Sequence, residues 1–250
     1  MATIAPMYCF TKNVAGDLAD VEMIVPAGVQ SRGFEPSAGE LQRISQADVV
    51  VENGFGFEGW MDRLVARGLL KPGAVRVLAA RGTGPGIPGL PGDPNTPPGE
   101  DLNEPGPPDP HVWLDPVMAI KEVQNIRDAL MARDPAHAND YLANENRYEA
   151  ALRDLDDEAG RMTVEVSGRR LLCVDGAFSY FLKRYEFSVA KSAGDADGLL
   201  APAGAPAGDL KAAGLRVVRF DPMESGPASA DFYMRATLAN ARALREGLSR

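Results

Sequence analysis

Residues 47–54 have the sequence ADVVVENG, and the three consecutive valines within this stretch decide the class of fold. Short continuous apolar runs are typical of parallel strands that are covered on both faces, because strands exposed on one face alternate apolar and polar residues. Apolar residues at helical spacing follow between Phe57 and Val65, and a second short apolar run lies at residues 75–78. This alternation of strand and helix predicts an α/β lobe with a mostly parallel sheet flanked by helices.

The last third of the chain repeats the same alternation. Its predicted elements are strands at 170–174 and 215–220 and helices at 178–185 and 232–248. We therefore expect two α/β lobes, an N-terminal one over residues 1–135 and a C-terminal one over residues 166–250.

A long amphipathic helix is predicted between the two lobes. Asp134-Pro135 is a favourable helix start, because a carboxylate caps free N–H groups and proline fits the first helical position. Apolar residues then form one stripe: Tyr141, Tyr148, Leu152, Leu155, Ala159 and Met162. A helix of about 25 residues is roughly 38 Å long, which is enough to link one lobe to the other. We assign residues 136–165 to this linking helix.

Residues 82–108 interrupt the first lobe. Sixteen of these 27 residues are Gly or Pro, so the segment predicts no regular element. Because ordered-looking sequence resumes at residues 109–116, we interpret the segment as a surface loop of the first lobe and not as a linker between domains.

Composition excludes several classes of protein. The formal net charge is −9, which argues against nucleic acid as a partner, since phosphate binding needs a basic face. No apolar window is long enough for a transmembrane helix. No secretion signal is expected in the sequence, because Met1 stands directly before a predicted first strand, so an exported protein would have had the signal removed. The chain also lacks a nucleophile elbow, a phosphate-binding loop and an HExxH motif, so we expect no enzyme activity.

Four residues lie where the ends of strands and the turns should face a cleft. Asp175 and Asp221 each follow a predicted strand, and ligands of open parallel sheets bind beyond the carboxyl ends of strands. His111 lies between the Pro-rich loop and a helix, and Arg32 lies in a turn-rich segment at 28–36. Each also has a plainer interpretation: a structural histidine, two turn residues and a surface arginine.

Several motifs, in order along nearly the whole chain, carry a family resemblance. They are FTKNVAGD at 10–17, VPAG at 25–28, FEPS at 34–37, ADVVVENG at 47–54, DPHVWLDP at 109–116, GAFSYF at 176–181, KRY at 183–185 and FDP at 220–222. In these motifs the sequence resembles the zinc- and manganese-binding solute receptors of ABC importers. The resemblance implies two lobes joined by a long rigid helix, with one metal ion in the cleft between them.

The resemblance also implies a set of site residues. The usual ligands of the family are two histidines, a third His or Glu, and an Asp, and these positions fall on Arg32, His111, Asp175 and Asp221. A guanidinium does not ligate cations, so the metal site is altered at its first position. A monomeric protein outside the cytoplasm, periplasmic or membrane-anchored, with a membrane permease as partner, follows from the same resemblance.

Two functions of this kind remain open. In the first, His111, Asp175 and Asp221 bind zinc or manganese, with weakened affinity because a ligand is missing. In the second, the protein binds no bare metal; Arg32 neutralises Asp175 and Asp221, or it helps bind an anionic or chelated ligand. An enzyme on the same fold is the third and least supported alternative.

Overall fold

The protein is an α/β molecule with two separate parallel sheets flanked by helices, in a computed structural model that describes residues 1–83, 109–174, 176–205 and 214–249. The α-helices in these ranges are α1 (Ala5–Ala15), α2 (Ala38–Ile44), α3 (Gly59–Ala66), α4 (Pro116–Arg133), α5 (Ala138–Thr163), α6 (Ser179–Arg184) and α7 (Phe232–Leu248). The strands are β1 (Val49–Glu52), β2 (Val75–Leu78), β3 (Arg170–Cys173), β4 (Ser188–Val189), β5 (Gly198–Pro202) and β6 (Val217–Phe220). The predicted fold class is confirmed, whereas most of the Gly- and Pro-rich segment, residues 84–108, lies outside the described ranges.

The first sheet is built on the valine run. β1 pairs in parallel with β2, with Val49 opposite Val75. Ala2 extends the sheet by parallel bridges to Val51 and Met23. Val50 and Val51 are fully buried, so both faces of this strand are covered, as the continuous apolar run predicts.

The second sheet has the order β4-β3-β5-β6, and all its pairs are parallel. The predicted strands at 170–174 and 215–220 correspond to β3 and β6. Sequence patterns missed β5, which lies in a segment rich in Ala, Gly and Pro. Its neighbours β3 and β6 supply hydrogen bonds along both edges, and this tertiary setting outweighs the weak strand preference of its residues.

The predicted long helix is present as α5, an unbroken helix of 26 residues. Its predicted apolar stripe is buried from Tyr141 to Ala159, and Met162 packs against the core while half-buried. The α-helix begins later than predicted, after a short 3-10 turn at Pro135–His137. The Asp134 carboxylate accepts from the Tyr141 hydroxyl at 3.0 Å instead of capping the helix with its side chain. The proposed domain bounds at 135 and 166 stay a prediction.

Buried carboxylates on α5 fix the neighbouring helices. The Arg184 guanidinium on α6 donates a forked pair of hydrogen bonds to Asp156, and the Tyr185 hydroxyl donates to the same carboxylate at 3.1 Å. On the other side, Arg127 of α4 donates to Glu145 at 3.0 Å. These contacts hold α6, which carries part of the site described below, against α5.

The N-terminus of α2 supplies a test of local stability. The Ser37 hydroxyl accepts from the Glu40 N–H, and the Glu40 carboxylate accepts from the Ser37 N–H at 2.6 Å, which is the capping box that the spacing of Ser and Glu in SAGE at 37–40 indicates. We expect Ser37→Ala to lower the free energy of unfolding by about 1 kcal/mol, measured by denaturant titration. Ser45→Ala, at the opposite end of α2, is the matched control, and an equal loss in both variants would contradict the capping role.

Candidate metal-binding site

The DPHVWLDP motif at 109–116 builds the start of α4. Val112–Leu114 form one 3-10 turn, and the Asp115 carboxylate then accepts from the N–H groups of Val117 and Met118. Pro116 occupies the first turn of α4, where a missing N–H costs nothing. His111 is therefore held at the entrance to a capped helix, in a backbone segment with little freedom.

The imidazole of His111 is buried and fixed through one of its nitrogens. The residue is 4% exposed, and its ring lies edge-on to the rings of Phe57 and Trp113. Asp109 Oδ1 lies 2.6 Å from His111 Nδ1 and also accepts from the His111 peptide N–H at 3.0 Å. Because Nδ1 is engaged by this carboxylate, Nε2 is the nitrogen left to face a ligand.

Nε2 of His111 faces a second carboxylate. Glu224 Oε1 lies 3.1 Å from Nε2, and the Glu224 side chain is only 17% exposed. Burial alone would lower the pKa of His111, but the hydrogen bonds and charges of Asp109 and Glu224 raise this pKa to about 9. A cation that binds Nε2 must therefore displace a proton.

Asp109 also connects the first half of the chain to α6. The Ser179 hydroxyl donates to the second carboxylate oxygen of Asp109, and the Tyr180 hydroxyl donates to the Asp109 carbonyl oxygen at 3.2 Å. His111 is therefore held in place by Asp109, which precedes α5 in the sequence, and indirectly by Ser179 and Tyr180, which follow it.

Asp221 begins the loop that follows β6. Its backbone is fixed by two hydrogen bonds with the Asn240 side chain, each 2.8 Å long. Its Oδ1 accepts from the Met223 N–H at 2.8 Å, and Met223 has a positive φ of 66°. One carboxylate oxygen thus stabilises a tight turn, in line with the plainer interpretation of this residue.

The loop at 221–226 is anchored on three sides. Trp113 Nε1 donates to the Pro222 carbonyl oxygen at 2.9 Å, and the Gly28 N–H donates to the Ser225 carbonyl oxygen at 2.7 Å. Gly226 lies so close to the Phe232 ring that a Cβ atom there would overlap it. The segment that carries Arg32 and the loop that carries Glu224 are consequently in contact with each other.

The four residues singled out in the sequence are only partly brought together. Arg32 is exposed and forms no ion pair with Asp221 or with any other carboxylate in the described ranges. Arg32 therefore does not pair with Asp221, and the expected alternative pair with Asp175 stays a prediction. Asp175 lies outside the described residues. Within the described ranges, no three His, Cys, Asp or Glu side chains are grouped closely enough to hold a metal ion.

Sequence reasoning missed the direct neighbours of His111. Asp109 had a local signal, since a carboxylate two residues before a histidine is within reach of its ring. Ser179 and Glu224 had none, because they lie 70 residues from Asp109 and 113 residues from His111, respectively.

Comparison with known proteins identifies the family. The sequence model of the family described as ZnuA, zinc-uptake complex component A, periplasmic, matches residues 1–204. The chain belongs to the ZnuA family. Its relatives in this family include the zinc-binding lipoprotein AdcA of Streptococcus pneumoniae, 32% identical over 188 residues, and the manganese-binding lipoprotein MntA of Halalkalibacterium halodurans, 34% identical over 178 residues. These alignments cover 74% and 70% of the chain, but only 36% and 54% of the two relatives.

Solved structures show the same ZnuA-type fold over nearly the whole chain. The solute-binding protein FpvC of Pseudomonas aeruginosa, in complex with Mn²⁺, gives a TM-score of 0.80 at 23% identity and covers 99% of the chain and 96% of FpvC. The Zn(II)-bound ZnuA-like domain of Streptococcus pneumoniae AdcA gives a TM-score of 0.76 at 25% identity, with coverage of 100% and 98%. The fold implied by the sequence motifs is thereby confirmed.

Proposed function

We propose that this protein is the extracytoplasmic solute-binding receptor of an ABC importer for a transition metal, zinc or manganese. His111, Asp175 and Asp221 are the proposed ligands, and the membrane permease of the importer is the proposed partner. The family membership and the metals named for AdcA and MntA support this assignment. Among the described residues, none of the helices combines the length and the apolar character needed to cross a membrane.

One observation about the site carries the proposal. The Nδ1 atom of buried His111 lies 2.6 Å from a carboxylate oxygen of Asp109. Histidines that ligate metals almost always donate their other ring N–H to such a group, because it fixes the tautomer and makes the ligating nitrogen more basic. His111 is therefore supported as a metal ligand that acts through Nε2.

The affinity proposed for this receptor is low. Open zinc sites use at least three protein ligands, and the position that the family fills with a first histidine is filled here by Arg32. An arginine has no lone pair for a cation and stays protonated. The proposed set therefore has one imidazole and two carboxylates, completed by water.

A chelated or anionic solute is the second candidate, favoured by the position of Arg32. Its guanidinium is exposed and forms no ion pair in the described ranges, and its segment contacts the 221–226 loop. An exposed guanidinium on a segment that contacts the site loop is suited to carboxylate or phosphate groups of a bound ligand.

Metal titration separates the two candidates. Protein stripped with a chelator would be titrated with Zn²⁺ and with Mn²⁺ by calorimetry, and the freshly purified protein would be subjected to elemental analysis. We expect weak, saturable binding of at least one ion to one site per chain. An absence of heat with both ions and of co-purified metal would contradict the metal-receptor assignment and favour the chelated ligand.

Arg32→His tests the assigned ligand position. We expect it to strengthen Zn²⁺ or Mn²⁺ binding at least tenfold, or about 1.4 kcal/mol, because it restores an imidazole. Arg32→Ala removes the charge without adding a ligand atom, and we expect a smaller gain, since an exposed charge is screened by solvent and salt. Equal affinities of the wild type and Arg32→His would show that residue 32 does not occupy a ligand position.

A further inference from the structure

We propose that Glu224 is a metal ligand, so that His111 and Glu224 together form the preassembled part of the cation site. This inference rests on the proposed metal-receptor function and adds a residue that the sequence motifs do not contain. In the family pattern carried over above, the positions are Arg32, His111, Asp175 and Asp221, and Glu224 has no counterpart among them.

The geometry of the contact supports ligation. Glu224 Oε1 lies 3.1 Å from His111 Nε2, the ring nitrogen that Asp109 leaves available. Zinc binds imidazole nitrogen and carboxylate oxygen at about 2.0–2.2 Å, so two ligand atoms on one ion are separated by about 2.8–3.6 Å, the range between a right angle and the tetrahedral angle at the metal. The two atoms already have a spacing that one cation can bridge, in the place now taken by a hydrogen bond.

The anchoring of the loop bears on whether Glu224 stays beside His111 Nε2 as a ligand or moves away when a cation enters. Two hydrogen bonds, from Trp113 to the Pro222 carbonyl oxygen and from Gly28 to the Ser225 carbonyl oxygen, hold the backbone on both sides of Glu224. The close approach of Gly226 to Phe232 adds a third anchor. Because the backbone on both sides of Glu224 is held and the side chain is mostly buried, the carboxylate has little room to move away from Nε2.

Charge and donor type also favour this role. Residue 32, where the family has a histidine ligand, is an arginine and supplies no ligand atom. Glu224 supplies a carboxylate oxygen instead of the missing nitrogen. One imidazole nitrogen with carboxylate oxygens is a donor set that suits Zn²⁺ and Mn²⁺. The remaining coordination positions are left to water and to Asp221, which lies in the same anchored loop.

Titration of variants with two ions tests the inference. Wild type, His111→Ala, Glu224→Gln and Glu246→Gln would be titrated with Mn²⁺ and Zn²⁺ by calorimetry, and the thermal unfolding of each metal-free protein would be measured. Glu246 is exposed near the end of α7, and its neighbour Gly247 lies against Val218 at the start of β6, so Glu246→Gln removes the same charge away from the loop. We expect Glu224→Gln to lower the affinity for both ions at least tenfold, with Glu246→Gln unchanged.

The outcomes separate this inference from the proposed function. Binding that is lost in His111→Ala but unchanged in Glu224→Gln would overturn the role of Glu224 and leave the receptor function intact. Tighter binding by Glu224→Gln would identify Glu224 as a competitor for His111 and would also overturn it. If wild type bound neither ion, the proposed function and the inference would both fail. Glu224→Asp, which keeps a carboxylate, should recover part of the affinity, whereas a loss caused by misfolding would appear in the thermal unfolding of the metal-free variant.

Discussion

Replacement of His111 by alanine is expected to weaken Zn²⁺ and Mn²⁺ binding at least 100-fold, the largest effect on binding that we expect from any single substitution. His111 is the only nitrogen ligand in the proposed set. Removal of a residue that merely supports a ligand commonly costs 10–100-fold in metal affinity, so loss of the ligand itself should cost more. Calorimetric titration of the stripped protein measures this loss directly.

The second histidine of the chain provides the control. His137 is 47% exposed at its side chain and pairs with Asp134 just before α5. His137→Ala should leave metal affinity unchanged. Thermal unfolding offers an independent readout, because a ligand that binds only the folded state raises the melting temperature. Zn²⁺ or Mn²⁺ should raise it for wild type and His137→Ala, and an equal rise for His111→Ala would contradict the assigned role.

Replacement of Glu122 by methionine is expected to stabilise the protein, and increasingly so as the pH rises. Glu122 lies on the inner face of α4 with no exposed surface, and neither carboxylate oxygen has a hydrogen-bond partner in the described ranges. Burial raises the pKa of Glu122 well above its ordinary value, and the charge of nearby Glu58 raises it further. A buried polar group without a partner costs free energy that an unbranched apolar side chain of similar length does not.

The direction in which stability changes with pH follows from the pKa of Glu122 in the folded and unfolded states. The unfolded carboxyl ionises with a pKa near 4.5, whereas the folded carboxyl keeps its proton to a higher pH. The unfolded state therefore binds fewer protons, and the contribution of this group to stability falls as the pH rises above about 4.5. Each pH unit in this window should change the unfolding equilibrium by up to about tenfold relative to Glu122→Met. The advantage of the variant should therefore be larger at pH 7 than at pH 5.

Denaturant titrations of wild type, Glu122→Met and Glu158→Met at pH 5, 6 and 7 measure this dependence. Glu158 is exposed on α5 and serves as the matched control, with no pH-dependent gain expected. Glu58, Tyr180 and Tyr233 lie near enough to Glu122 to interact with its charge, and all three remain in the variant. A stability difference that stayed constant from pH 5 to 7 would show that Glu122 is not held protonated by burial.

Local sequence patterns were sufficient to predict those elements whose formation depends on residues close together in the chain. The valine run at 49–51 predicted a strand covered on both faces, and the stripe from Tyr141 to Ala159 predicted the buried face of α5. Ser37 and Glu40 have the spacing of a capping box, and α2 starts there. In each case the deciding interaction repeats with the period of a strand or helix, or closes within one turn, so the sequence contains it directly.

The sequence by itself thus determined the α/β class, the long helix and, through the order of its motifs, the ZnuA family. Only the tertiary structure decided what surrounds His111. Glu224 reaches Nε2 from 113 residues away because Trp113 and Gly28 anchor its loop, and Ser179 reaches Asp109 from 70 residues away. Such contacts depend on how loops from different sheets pack against each other, and packing of this kind leaves no periodic pattern in the chain.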